Sequence, residues 1–205
     1  MARVFTDIYV KNCTDILLKN AWRLGYSSIL CEGGEFQKAG DTRIRAVKKI
    51  IVNAETSSKL KSQLRSIDYI NTFITVHPLS IDVARWSAHD TRVDSILMTP
   101  SNMKFFDKKQ LSIMKYYAKP LEVHLPYLIH SDGYIRGALY RKLNLFVSGR
   151  AALLLGSAAE HWVDMYPPIS IIKFLLTQYD IPEDFSRTSL TDTPRHVITN
   201  KAGPL

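Results

Sequence analysis

Apolar residues fall along this chain in short β-type runs separated by longer stretches with helical spacing, and the alternation holds from residue 4 almost to the end. VFTDIYV (4–10) predicts a first strand, followed by a helix near 14–24 that Thr14 can cap and Gly25 can end. YSSILCE (26–32) predicts a second strand, GGEFQKAGDT a loop, and the β-branched run IRAVKKIIVNA (44–54) a third strand with its basic residues in water. SSKLKSQLRSI (57–67) predicts a helix, and YINTFITV (69–76) a strand ended by Pro78. IDVARWSAHD predicts a helix capped by Ser80, and DSILMT (94–99) a short buried strand. In the next helix Asp107 takes the N-cap with Gln110 at the third helical position, and Phe106 and Leu111 stand as a hydrophobic staple. LEVHLPYLI (121–129) predicts a strand with Pro126 near its end, and Ser131 opens a long helix to about residue 149. AALLLGSA (151–158) is apolar throughout, as a strand of a parallel sheet requires. Pro167 and Pro168 suit the first turn of ISIIKFLLTQYD, a last helical piece follows Pro182, and RHVIT (195–199) has no firm assignment.

Strands alternating with helices predict an α/β protein with parallel strands wrapped by helices, a TIM-barrel-like (β/α) barrel. No repeat, low-complexity tract or linker interrupts the pattern, so a single domain over residues 1–205 is expected. An eight-fold barrel typically takes about 250 residues, so short loops or missing helices are expected in this one.

Composition adds a partner. Apolar content of 46% and charged content of 22% are ordinary for a globular protein, but the net charge of +8 is not. It points to RNA, DNA or an anionic membrane surface. Residues 41–65 hold seven Lys/Arg against Asp41 and Glu55, and residues 101–150 hold nine against Asp107, Glu122 and Asp132. Clustering of this kind suits a phosphate-binding face. Aromatics do not interleave with the basic residues as stacking platforms do, which favours duplex or structured RNA gripped through its phosphates. The residues expected to carry RNA binding are Arg43, Arg45, Lys48, Lys49, Arg65, Lys104, Lys108, Arg136, Arg141, Lys142 and Arg150. The helix at 107–118 carries Met114, Tyr116 and Tyr117, more large side chains than one core stripe absorbs, and is expected to dock a protein partner.

No run reaches the roughly 18 apolar residues of a membrane span, and the N-terminal residues read as a strand rather than a secretory segment. An intracellular, cytoplasmic protein with no membrane partner is expected, and Cys13 and Cys31 read as reduced, buried thiols.

Catalytic chemistry is thin. The six histidines, His77, His89, His124, His130, His161 and His196, form no H-x-H, H-E-x-x-H or zinc-spaced Cys/His pair. Glu122 and His124 alternate on one predicted strand and point the same way, but two groups do not complete a metal site. No phosphate-cradling glycine loop and no nucleophile elbow occurs, and Ser157 has no neighbouring base. No catalytic residue and no metal ligand is expected.

Several segments, in order, line up with one family. FTDIYV (5–10) with Asp7, LGYSSI (24–29), LEVHLPYLI followed by Arg136, LLLGSAAE (153–160), the proline at 167 and TPRHVITN (193–200) resemble the archaeal and eukaryal ribonuclease P protein component 3 family. The resemblance runs over nearly the whole chain. It implies a barrel related to the PHP phosphoesterases that has lost their metal-binding histidines; where such an enzyme would place H-x-H, this chain has Tyr9 and Lys11. It further implies a non-catalytic subunit of the ribonucleoprotein that removes the 5′ leader from precursor tRNA. The RNA subunit carries catalysis with its own Mg²⁺, so the protein needs no cofactor. The implied partners are the catalytic domain of that RNA, precursor tRNA indirectly, and a small ferredoxin-like subunit, component 2, in a heterodimer that can double to a heterotetramer. One departure is that Met165 and Tyr166 stand where the family usually has an arginine before the proline. The rival class is a PHP-type metal-dependent phosphoesterase, which would need a clustered His/Asp/Glu ligand set.

Overall fold

The computed structural model describes residues 5–33 and 44–202. Its strands are β1 (Phe5–Val10), β2 (Tyr26–Glu32), β3 (Arg45–Ala54), β4 (Phe73–Pro78), β5 (Ser95–Leu97), β6 (Leu121–His124) and β7 (Leu153–Gly156). Between them run α1 (Asp15–Leu24), α2 (Ser57–Arg65), α3 (Ile81–His89), α4 (Lys108–Tyr116), α5 (Leu125–Ile129) and α6 (Gly133–Ser148). Three helices follow β7: α7 (Pro168–Tyr179), α8 (Glu183–Leu190) and α9 (Asp192–Ala202).

Among the described residues the strands form one seven-stranded sheet in chain order, and each neighbouring pair is parallel. The sheet bends round until the chain just beyond β7 meets β1. Ala158 N donates to Tyr9 O and Lys11 N to Ala159 O, both at 2.9 Å. Gly156 permits this closure, because a Cβ there would stand 2.6 Å from Tyr9 Cβ and 3.0 Å from Tyr9 N. Among the described residues the result is a TIM-like barrel of seven strands.

Alternation along each strand sorts side chains into two shells. Outward residues such as Ile29, Val52, Ile74, Ile96, Val123 and Leu155 pack under the helices. Inward residues Ile8, Leu30, Val47, Phe73 and Leu154 form a separate apolar cluster, completed by Ile198 of α9. Helix starts follow local chemistry: Thr14, Thr56, Ser80, Asp107 and Asp132 each accept a backbone N–H of the first turn. Gly25 closes α1 in the left-handed region, at φ 102°.

Three expectations change, and one segment left open is assigned. The strand over 121–129 ends at His124, because Pro126 has no N–H for the ladder and instead opens the short helix α5. Residues 69–72 form turns ahead of β4, with Asp68 accepting from Ile70 N, rather than the start of the strand. The segment 195–199 is helical, because Ile198 buries against the inner cluster. Cys13 and Cys31 are joined in a disulfide with their Cα atoms 5.9 Å apart, inside the range that a disulfide spans, and are not the reduced thiols expected.

Candidate nucleic-acid interface

In this fold, loops that follow strands gather at one end of the barrel and loops that follow helices gather at the other. The strand-exit end is where barrel enzymes keep their chemistry. Here it opens on a cavity of about 310 Å³ lined by Tyr9, Lys11, Glu32, Asn53, His77, Thr99, His124 and Tyr127, among others.

The floor of that cavity is already occupied. Lys49 points inward from β3 and is fully buried, with its ammonium donating to Glu122 Oε1 at 2.6 Å and to Ile8 O at 2.7 Å. The same ammonium sits 5.3 Å and 5.0 Å from the ring centres of Tyr9 and Phe73. His124 Nε2 also donates to Glu122 Oε1, at 2.7 Å, and Thr75 and Ser95 donate to Oε2 at 2.8 and 2.6 Å. Each carboxylate oxygen of Glu122 therefore accepts two hydrogen bonds from the protein, which leaves no vacant lone pair for a metal. Burial pushes the Glu122 carboxyl up, but the charge of Lys49 and the bonds from His124 and Lys49 outweigh it and hold it at about 2. Burial draws Lys49 and His124 below their usual ranges despite the pull of Glu122.

Around this centre, His77 donates from Nδ1 to Asn53 Oδ1 at 2.8 Å, and its Nε2 meets Thr99 Oγ1 at 3.2 Å. Tyr9 stacks on His124 with ring centres 4.3 Å apart and donates its hydroxyl to Glu32. Among the described residues, no group of three or more His, Cys, Asp or Glu could hold a metal ion. Among the described residues the mouth is a hydrogen-bonded polar core in which Glu122, His124, His77 and Glu32 all have partners.

The expected RNA-binding residues separate into two sets. Lys104 and Lys108 follow β5, and Arg136 lies in the first turn of α6, so all three are near the strand-exit end. Arg141 and Lys142 continue that set down the flank of α6, with Lys142 Nζ donating to Phe106 O at 3.0 Å. Arg65 ends α2 and Arg150 follows α6, both exposed at the opposite end. Arg45 begins β3 at that same end, half-buried beside its strand partner Ser28. Lys48 is exposed on the outer face of β3. Arg43 lies outside the described residues. Lys49 is a correction: with none of its surface exposed and its ammonium committed to Glu122, it cannot meet a phosphate.

Of the expected partner-binding residues, Met114 is also a correction. It is fully buried, because Gln110, Leu111 and Met114 form the inner stripe of α4. Tyr116 is 82% exposed and Tyr117 40% exposed, with their rings in edge contact at 4.8 Å. The sequence reading missed a second exposed apolar group, Ile16 and Trp22 on α1 with Trp162 and Val163 on a 3-10 turn that α1 touches. Trp162 and Val163, adjacent in sequence and flanked by His161 and Asp164, were the available signal.

No protein-family model matches the chain. A curated relative, ribonuclease P protein component 3 of Aeropyrum pernix, is 28% identical over 177 residues, covering 80% of this chain and 82% of that protein. Among solved structures, a chain of the cryo-EM structure of archaeal ribonuclease P with mature tRNA superposes with a TM-score of 0.76 at 15% identity, over 94% of this chain and 89% of that one. The Aspergillus niger ochratoxinase, whose structure is a crystal structure, superposes with a TM-score of 0.69 at 8% identity, over 95% of this chain and 71% of that one. The two superpositions bear on the fold, which is that of a TIM-like barrel.

Proposed function

We propose that this chain belongs to the ribonuclease P protein component 3 family and is a protein subunit of ribonuclease P, the endoribonuclease that removes the 5′ leader from precursor tRNA. The similarity to the Aeropyrum pernix component over 80% of the chain supports membership of that holoenzyme. The observation that carries a non-catalytic role is Lys49: its ammonium fills the barrel centre and, together with His124, saturates one oxygen of Glu122, where a barrel hydrolase would need open ligands. What remains for function is the outer surface with its excess of basic side chains.

In this reading the RNA subunit performs the cleavage with its own Mg²⁺. A large RNA resists compaction because its phosphates repel one another, and a preformed basic surface lowers that cost and the Mg²⁺ needed for the active fold. The small ferredoxin-like component 2 is the proposed protein partner, in a heterodimer or its doubled heterotetramer, and the cytoplasm the proposed location. No helix among the described residues is long and apolar enough to cross a membrane. The Cys13–Cys31 bridge is compatible with that location where intracellular proteins carry disulfides, as in hyperthermophiles.

The test is reconstitution. Adding the chain with ribonuclease P RNA and the small partner is expected to restore precursor-tRNA cleavage at low Mg²⁺, while the chain alone turns over neither precursor tRNA nor phosphate esters. Metal-dependent turnover by the purified chain, lost on Glu122→Gln or His124→Ala, would overturn the reading in favour of a phosphoesterase.

A further inference from the structure

At the helix-exit end, away from the barrel mouth, lies a cleft of about 440 Å³. Its walls come from three stretches of the chain, residues 114–120, 150–152 and 188–197. Lys115 and Met114 come from the end of α4, Lys119 and Pro120 from the approach to β6, Arg150 with Ala151 and Ala152 from the approach to β7, and Asp192, His196 and Val197 from α9. Lys115 and Arg150 are exposed. Lys119 also lines the cleft, with its Nζ donating to Val93 O. Arg150 takes φ 54°, which turns the chain sharply between α6 and β7 at the rim of the cleft. The cleft thus brings the exposed cations Lys115 and Arg150 together with Asp192 and the His196 imidazole.

We infer that this cleft is a binding site for one nucleotide unit of an RNA strand. The phosphodiester lies against Lys115 and Arg150, and the sugar or base rests on the apolar lining of Ala152 and Val197. Charge selects an anion, the apolar lining selects a ligand with a nonpolar part, and the volume exceeds what a bare phosphate fills. The site lies at the end of the barrel opposite to the mouth, so it is not inherited from the chemistry of barrel hydrolases. It also gives the charge-rich window 101–150 a shape: Lys115, Lys119 and Arg150, 35 residues apart at the extremes by sequence number, meet because α4 and α6 both deliver the chain to the same end.

The inference rests on the ribonuclease P reading, and the experiment separates the two. Filter binding of ribonuclease P RNA is measured against monovalent salt for the full wild-type chain, for Lys115→Gln/Arg150→Asn, and for the flank variant Lys104→Gln/Lys108→Gln. Asparagine tolerates the left-handed backbone at residue 150, and thermal melting checks that each variant folds. Loss of the single phosphate contact is expected to lower the log–log salt slope by roughly 0.7–0.9 and to weaken binding at least roughly ten-fold at low salt. A photo-reactive residue placed at Ala152 is expected to cross-link to the RNA. Wild-type binding and slope in the cleft variant, with no cross-link, overturn the site while leaving the ribonuclease P reading intact. Loss of pairing with the small protein subunit, with RNA binding unchanged, also overturns it. Absence of salt-dependent RNA binding by the wild-type chain removes both.

Discussion

Lys49 Nζ lies 2.6 Å from Glu122 Oε1 at the centre of the barrel, and neither side chain has any exposed surface. A buried ion pair of this kind is weak evidence for net stability, but removal of one partner strands the other charge. Lys49→Met is therefore expected to cost about 3–5 kcal/mol. Pairing it with Glu122→Gln removes the stranded charge and keeps an amide to meet Thr75 and Ser95. Urea unfolding at pH 7 should show the double variant regaining most of the loss. A single variant within about 1 kcal/mol of wild type would mean the ion pair holds nothing in place.

The same residue marks where sequence reading succeeded and where it ran out. Barrel class, parallel strands and most helix caps were legible, because β-branched runs, helical spacing and Ser/Thr/Asp caps act locally. Lys48 and Lys49 show the limit. Alternation in a strand sends neighbours to opposite faces, so at most one of the two could lie outward, and composition cannot say which. The inner cation became visible only once β3 paired with β4 and set Lys49 beside Phe73. Met114 failed for a related reason: the stripe Gln110, Leu111, Met114 takes a polar residue into the core, where Gln110 Nε2 donates to Ala84 O at 2.7 Å. The cleft at the helix-exit end was illegible, since its walls meet only through barrel closure.

Asp7 gives a pH signature. It is fully buried, with Oδ1 accepting from Tyr9 N at 3.1 Å and Ser157 N at 2.9 Å across the β1–β7 seam, while Oδ2 has no hydrogen-bond partner. Burial pushes its carboxyl up to about 6, against the lowering influence of Ser157, Tyr9 and Lys49. A folded-state value above the unfolded one means the folded form holds the proton more tightly. The associated stability is full below about pH 4 and is lost as pH rises to about 6, a change on the order of 3 kcal/mol. Asp7→Asn keeps an acceptor at the seam and cannot ionise. Its melting temperature at pH 7 is expected to exceed that of wild type, and the decline between pH 4 and 6 should flatten. An unchanged decline in the variant would assign the slope to another group.

The disulfide closes a short loop around α1, with a sequence separation of 18. Constraining an unfolded loop of that size is worth about 3 kcal/mol in the chain-entropy treatment. Cys13→Ser/Cys31→Ser should lower stability by that order and abolish any response of the melting temperature to reductant. Thiol titration of the unfolded wild-type chain without reductant should find no free thiol. Two reactive thiols would restore the reduced pair that composition suggests.

Tyr116 and Tyr117 remain the expected contact for a protein partner, now without Met114. Tyr116 keeps 82% of its surface open to water, and its only ring neighbour among the described contacts is Tyr117, itself 4.4 Å from His89. The two tyrosines therefore differ: Tyr117 has a packing role within the chain, and Tyr116 has none that the fold explains. Tyr116→Ala should leave the melting temperature within about 0.5 kcal/mol equivalent of wild type, as an exposed position does. Calorimetric pairing with the small ferredoxin-like subunit should weaken by at least about 1–2 kcal/mol if the ring is a buried anchor in the complex. Tyr117→Ala should cost folding stability as well as pairing. Unchanged pairing for Tyr116→Ala would take α4 out of the interface and direct the search to Trp22 and Trp162, which are exposed on α1 and the adjoining turn.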